Sequence, residues 1–376
     1  MSQSYRISNE GLLNRNKEIS FKFNGTKYTG YEGDTLASAL LANGIHLVGR
    51  SFKYHRPRGF FGAGVDEPNA KLQILLNGHS EPNVNATEFE LVEGIEATSQ
   101  NCWPSVKFDV GAINNFLSKF FPAGFYYKTF KWPKSFWHKV YEPFIRKAAG
   151  FGIASLEKDK ERYEHKYEYC DLLVTGSGPA GLSSAYAAAK NGAKVILAED
   201  KPRFGGSLLT DDVTIDNLSG KAWTDKIITQ LKEMPNVIVK NRSQVFGYYD
   251  HNMTVMIEKT GDHLKDKPKY VPRQRLWYIR AKEVILSTGS IERPIVFGNN
   301  DTPGVFLSAA AKEYIKVYGV LVGKKPLVFT NNDSGYETAL EFKKHGVDPI
   351  ILDTREEHSS ELIDSVKNQN IKIRFS

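Results

Sequence analysis

Apolar positions along this chain change period several times, and those changes mark out its elements. Alternation at Phe21 and Phe23, resumed at Lys27-Tyr28-Thr29 across Asn24-Gly25, predicts a β-hairpin over 19–30, because Asn-Gly supplies the left-handed turn that twisted strands need. Leu36, Leu40 and Leu41 then share one helical face over 34–43, with Asp34 or Thr35 as cap and Gly44 as stop. Further strands are predicted over 71–76, ahead of an Asn77-Gly78 turn, and near 89–92. Asp171-Leu172-Leu173-Val174-Thr175 reads as a strand, the small residues of 182–191 as a helix and 193–198 as a second strand. A helix over 223–234 and a strand at 237–239 follow, then short strands near 245–249, 254–259 and 275–279 and an apolar strand running up to Ser287. The last elements are a strand at 327–329, a helix ending at His345 and a strand at 349–352.

Between the strand at 171–175 and the helix at 182–191 lies Gly176-Ser177-Gly178-Pro179-Ala180-Gly181, and the second strand ends in Glu199-Asp200. Strand, glycine turn, helix, strand, acid is the order that holds a dinucleotide. The first two glycines permit a tight turn and let backbone N–H groups approach a pyrophosphate. Gly181 lets the helix pack closely on the strand, and the helix N-terminus adds partial positive charge. Glu199 stands 18 positions after Gly181, near the offset of about 20 residues for an acid that accepts from a ribose. Asp200 is its neighbour, and the sequence leaves open which of the two serves. An acid here favours a free 2′-hydroxyl, hence NAD or FAD over NADP.

Arg203-Phe204-Gly205-Gly206-Ser207 forms a second glycine loop, and Thr288-Gly289 a third turn. The order of elements resembles the first lobe of two-dinucleotide flavoproteins such as the glutathione reductase family, in which the Thr-Gly glycine abuts the cofactor. In the unit from Lys325 onward, Asn331, Asp333 and Tyr336 stand where three glycines would be expected. A carboxylate and a phenol there oppose a pyrophosphate, so this second unit reads as structural and one dinucleotide is expected per chain.

The N-terminal hairpin, helix and strands resemble a β-grasp, the fold of plant-type ferredoxins. Such a ferredoxin carries thiolate ligands in the loop after the helix, whereas Arg58 to Asn69 contains no cysteine. The domain therefore reads as cysteine-free, structural and without an iron–sulfur cluster. Arg50, His55, Arg56 and Arg58 could face an anionic ligand or form salt bridges. The expected organisation is a flexible arm (1–18), a ferredoxin-like β-grasp (19–102), an aromatic-rich connecting segment and charged linker (103–168), a dinucleotide-binding domain (169–322) and a second, degenerate and incomplete Rossmann unit (323–376). The fold class is α/β with an α+β N-terminal part. The aromatics of 103–153 pack between flanking domains or form a patch awaiting a partner, and 156–169 reads as a solvated helix.

The 376 residues are 41% hydrophobic and 25% charged, with 50 basic against 43 acidic side chains and a net charge of +7. Dispersed basic residues argue against nucleic-acid binding. No apolar run reaches the roughly 18 residues of a membrane span, and the N-terminus lacks an apolar signal core, so a cytoplasmic location is expected. Cys102 and Cys170 make neither a disulfide framework nor a zinc site. No His, Asp and Ser share catalytic spacing, and neither a catalytic residue nor a metal ligand is assigned.

Four stretches resemble the α subunit of heterotetrameric sarcosine oxidase: 49–59 (Gly-Arg-Ser-Phe-Lys-Tyr-His-Arg-Pro-Arg-Gly), 121–130 (Phe-Pro-Ala-Gly-Phe-Tyr-Tyr-Lys-Thr-Phe), Ile291-Glu292-Arg293-Pro294 and Thr330-Asn331-Asn332-Asp333-Ser334. The resemblance runs from about residue 20 to the C-terminus. It implies NAD rather than FAD in this chain, flavins on a β subunit, further small subunits, and oxidation of sarcosine to glycine with hydrogen peroxide and formaldehyde or methylenetetrahydrofolate. The family's α subunit is longer and carries a folate-binding half, so the chain is expected to be a fragment, inactive alone. The alternatives are a subunit of a related amine or opine dehydrogenase complex and a non-catalytic, dinucleotide-holding assembly module.

Overall fold

The hairpin turn forms where Asn-Gly stands. The computed structural model describes residues 3–76, 78–121, 124 and 128–376. In it β1 (Asn14–Phe23) and β2 (Thr26–Glu32) pair antiparallel about Asn24 and Gly25, whose φ values are 47° and 79°. Helix α1 (Leu36–Ala42) opens on a capping box. The Ser38 N–H donates to Thr35 Oγ1 at 3.1 Å and the Thr35 N–H to Ser38 Oγ at 3.0 Å, so two orphan donors of the first turn are satisfied. All of α1 is buried. Strands β3 (Lys71–Leu76), β4 (His79–Asn85) and β5 (Glu96–Ser99) complete a five-stranded sheet of order β2-β1-β5-β3-β4. Phe21, Phe23, Leu72, Ile74 and Ile95 form part of its core.

Two local expectations change here. The strand near 89–92 is a single bridge, Glu90 to Thr35, made by the Leu91 N–H on the Asp34 carbonyl and the Leu36 N–H on the Phe89 carbonyl; the strand proper comes later, as β5. The residues expected as a flexible arm are pinned. Arg6 forms a bidentate pair with buried Asp34, and Ile7 and Leu12 donate backbone bonds to Gly319 and Val317. Asn77, Pro122, Phe125, Tyr126 and Tyr127, named above, lie outside the described residues.

In the loop after α1, the buried Glu67 carboxylate accepts four backbone N–H groups, from Phe61 (2.5 Å), Gly62 (2.8 Å), Asn69 (2.5 Å) and Ala70 (3.0 Å). Arg56 and Arg58 both pair with Asp301, and Arg50 donates to the Val106 carbonyl, so these arginines serve as internal ties. The aromatic segment forms short helical turns and one helix, α2 (Glu142–Ala149), none with a buried residue.

The charged linker is not a helix from Tyr163 onward. Strand β6 (Tyr163–Thr175) is thirteen residues long, and Tyr163, His165, Tyr167 and Tyr169 alternate outward along it, a period of two that its charges mask. Helix α3 (Pro179–Lys190), β7 (Val195–Ala198), α4 (Gly220–Glu233), β8 (Val237–Lys240), β9 (Ser243–Tyr249), β10 (Met253–Lys259) and β11 (Gln274–Leu286) follow. They build a six-stranded sheet of order β8-β7-β6-β11-β10-β9. β11 unites the short strand at 275–279 with the apolar strand after it, pairing parallel with β6 from Tyr163↔Gln274 to Thr175↔Leu286. Leu182, Ala185, Trp223, Ile227 and Leu231 of α3 and α4 pack on Leu172, Val174, Val195 and Leu197.

Helix α5 (Ser308–Lys316), β12 (Leu327–Thr330), α6 (Ser334–Lys344), β13 (Ile350–Asp353), α7 (Glu361–Asn368) and β14 (Lys372–Phe375) complete the chain, with β12, β13 and β14 in a parallel sheet. The chain divides into two compact units, 1–158 with 292–376, and 159–291. The expected boundaries at 169 and 322 move because β6 starts early and because α5 belongs with the N-terminal unit. There the Tyr314 hydroxyl donates to the Gly62 carbonyl at 3.0 Å and the Leu307 N–H to the Phe61 carbonyl at 2.8 Å.

Candidate functional site: a glycine turn with a clamped glutamate

Each glycine of the 176–181 turn has its own reason. Gly176 has φ 98°, and a Cβ on it would lie 2.3 Å from the Ser287 carbonyl oxygen of the strand end beside it. A Cβ on Gly181 would lie 1.9 Å from the Gly176 carbonyl oxygen. Both positions are closed by protein. A Cβ on Gly178 would meet nothing within 4 Å. Gly178 is also the N-cap of α3, with no side chain capping that helix and Pro179 in its first turn. The open space therefore adjoins uncapped N–H groups and the positive end of a helix, which suits an anion.

Glu199, at the end of β7, is drawn into the same turn. Its Oε2 accepts from the N–H of buried Ser177 at 2.9 Å and from the Ser177 hydroxyl at 2.5 Å, and its Oε1 from the Lys201 N–H at 3.0 Å. It is 6% exposed, while Asp200 is exposed. Burial, with Asp200 beside it, pushes the Glu199 carboxyl up to about 7 against the ordinary 4.5, its hydrogen bonds opposing. The second loop closes on the first: the Gly205 N–H donates to the Ser177 carbonyl at 3.2 Å, and a Cβ on Gly206 would stand 3.1 Å from Gly178 Cα. Gly205 and Gly206 have φ of 123° and 53°, values that favour glycine. Ser207 is exposed and Arg203 half-buried. After β11, the Ser287 N–H donates to the Thr175 carbonyl at 2.8 Å, and exposed Thr288 and Gly289 follow, Gly289 with φ 70° and open space at its Cβ.

The structure thus gathers Gly176 to Gly181, Glu199, Gly205 and Gly206 into one site. What the sequence did not disclose is that Ser177 clamps the acid and that the Ser287 carbonyl dictates Gly176, since both depend on chain segments far apart in sequence. The corresponding place in the second Rossmann unit is filled by its own side chains. The Tyr336 hydroxyl donates to Asp353 at 2.7 Å, and Arg355 pairs with both Asp353 (2.8 Å) and Asp333 (2.9 Å). Burial pushes the Asp353 carboxyl up, but Arg355 and Tyr336 outweigh it and hold it at about 2.

The profile of the pyridine nucleotide-disulphide oxidoreductases matches residues 170–376, more than half of the chain. The chain belongs to that family. Residues 16–102 of the chain match a second profile, the 2Fe-2S iron-sulfur cluster binding domain. That match overturns the reading of the N-terminal part as a cysteine-free, purely structural ferredoxin-like β-grasp, and with it the expectation of no iron–sulfur cluster. The expectation rested on the one loop from Arg58 to Asn69, whereas the likeness covers the whole frame of strands and helix, and Cys102 lies inside the matched range. A four-thiolate ligand set is not met by the single thiol of that range, and among the described residues no group of three or more His, Cys, Asp or Glu could hold a metal ion.

The resemblance to sarcosine oxidase α subunits holds. The chain is 50% identical over 353 residues to sarcosine oxidase subunit alpha of Rhizobium meliloti (strain 1021), covering 94% of this chain and 36% of that one. It is 32% identical over 354 residues to the subunit of the same name from Corynebacterium sp. (strain U-96), covering 93% and 32%. The chain therefore spans about a third of the length of these curated relatives. Among solved structures, L-proline dehydrogenase from P. horikoshii shares the fold, with a TM-score of 0.61 and 21% identity over 95% of this chain and 57% of that chain. No helix among the described residues is long and apolar enough to cross a membrane.

Proposed function

We propose that this chain is the dinucleotide-holding subunit of an amine-oxidising complex of the sarcosine oxidase type. The observation that carries the reading is the open space at Gly178, flanked by an uncapped helix start and a buried acid. In this reading the N–H groups of Gly178, Ala180 and Gly181 receive the pyrophosphate of NAD or FAD, Gly176 and Ser177 shape the turn with their own N–H groups bonded to Ala198 and Glu199, and Pro179 holds the first turn in helical φ. Glu199 accepts from the ribose hydroxyls, and Asp200 raises its proton affinity. Arg203, Gly205, Gly206 and Ser207 form the second wall of the cradle, and Thr288 with Gly289 a third. The nicotinamide or flavin ring supplies hydride chemistry once bound; the residues of this chain bind, orient and exclude water.

Amine oxidation is assigned to the assembled complex, with sarcosine as the substrate class and a flavin-bearing partner subunit as the site of its C–N oxidation. A cytoplasmic location suits the two free cysteines. The test is extraction of the purified protein and identification of its nucleotide by mass. One dinucleotide per chain without a 2′-phosphate is expected, lost in Gly178→Leu at unchanged circular dichroism. NADP, or nucleotide retained in Gly178→Leu, refutes the site. Sarcosine turnover is expected only after co-expression with the flavin-bearing subunit.

A further inference from the structure

Residues 103–150 leave the β-grasp and return to it, and both ends are tied down. At the outgoing end, His55 Nδ1 bonds to buried Asp109 Oδ2 at 2.6 Å, while the N–H groups of Trp103 and Gly111 donate to Asp109 Oδ1 at 3.0 and 3.2 Å. Gly111 lies so close to the His55 ring that a Cβ on it would stand 2.4 Å away. Just beyond the returning end, Asn83 donates to the Phe151 carbonyl and the Ile153 N–H to Gln73. What lies between presents large apolar groups to solvent. Phe116 is 87% exposed, Trp132 83%, and Phe120 and Phe144 at least 70%. So many exposed large aromatics within one segment are unusual in a monomeric protein, and aromatics are the enriched anchors of protein interfaces.

Charge says what covers it. The segment contains eight Lys and Arg against two acids. Asp109 is buried against His55, and Glu142 is paired with Arg146 at 3.0 Å. Lys119, Lys128, Lys131, Lys134, Lys139 and Lys147 are all exposed. Exposed aromatic side chains interspersed along the chain with exposed lysines fit an occupant that is both apolar and acidic. A protein fits better than an anionic membrane. Among the described residues the helical elements with given bounds are three to eight residues long and prolines lie between and within them, whereas interfacial lipid binding uses one continuous amphipathic helix.

We infer that the described residues of 103–121 and 128–150 form the docking surface for an acidic protein subunit, with exposed aromatic side chains such as Phe116 and Trp132 as anchors and the exposed lysines steering its approach. This rests on the reading of the chain as one subunit of a complex, and it adds which surface engages the partner. The test uses the full chain and the flavin-bearing oxidase subunit, with association followed by biolayer interferometry and nucleotide content by mass in every sample. Raising sodium chloride from about 50 to about 500 mM is expected to slow association about tenfold. Lys131→Glu, Lys134→Glu, Lys139→Glu and Lys147→Glu together are expected to weaken the complex at least about tenfold. Phe116→Ser with Trp132→Ser acts on the apolar centre instead and is expected to weaken it about as much, chiefly by faster dissociation. These side chains are exposed, so nucleotide content and unfolding midpoint should stay at wild-type values. Wild-type affinity in both variants overturns the inference. So does sedimentation of the chain with vesicles containing about 30% phosphatidylserine without subunit binding. Failure of the wild-type chain to bind the subunit with nucleotide retained defeats the docking surface alone, while a wild-type chain that holds neither subunit nor nucleotide defeats the functional reading beneath it.

Discussion

Glu199 combines burial with three donors, and at the scale of the residue that conflict sets a pH response. Its carboxyl stands at about 7 in the folded chain against an ordinary 4.5. The folded protein therefore holds a proton that the unfolded chain has released, and stability without ligand falls as pH rises from about 4.5 to about 7. In the proposed site ribose hydroxyls would donate to the charged carboxylate, and dinucleotide binding would then expel that proton. Affinity is expected to rise across the same window, by less than about tenfold per pH unit, and to level off above it. Titration by isothermal calorimetry from pH 5 to pH 8 checks this; a profile as flat in the wild type as in Glu199→Gln would defeat it. Glu67 supplies a second expectation. Glu67→Ala leaves four N–H groups without their acceptor, a cost of about 3 kcal/mol or more. Faster amide exchange confined to Phe61, Gly62, Asn69 and Ala70 is the accompanying sign.

At the scale of the element, caps and turns were legible because their causes lie within a few residues. Thr35 with Ser38 closes α1, and Thr35→Ala should lower the urea unfolding free energy by about 1 kcal/mol. An unchanged midpoint would mean that the burial of α1 alone sustains it. The early start of β6 was not legible. Glu164, Lys166 and Glu168 interleave with its aromatics, and only pairing with β11 makes that stretch a strand. Gly181→Ala tests how tightly α3 sits on the sheet. Its Cβ would need the Gly176 carbonyl to move from 1.9 Å away, so the variant should lose nucleotide even though alanine favours helix. Retention of nucleotide by that variant would show that the turn has slack.

For the whole molecule, the proposed site lies within one of two compact units, and a ligand held there should protect that unit first. Saturation with dinucleotide at about 100 times Kd stabilises the binding unit by about 2.7 kcal/mol. Hydrogen exchange should therefore slow most within 159–291; equal slowing in 1–158 would count against a site confined to the turn. The second Rossmann unit should show no such gain, because Tyr336 and Arg355 already occupy its acid.

The sequence by itself determined the local backbone: the Asn24-Gly25 hairpin, the capped α1, and a glycine turn between a strand and a small-residue helix. Those features follow from φ preferences and from missing side chains, which act over a few residues. Tertiary structure alone decided that Glu199 rather than Asp200 is buried in the turn, that Ser177 holds it, and that 292–322 joins the N-terminal unit. Burial and carboxylate pairing depend on which distant segments meet, and no local pattern records that.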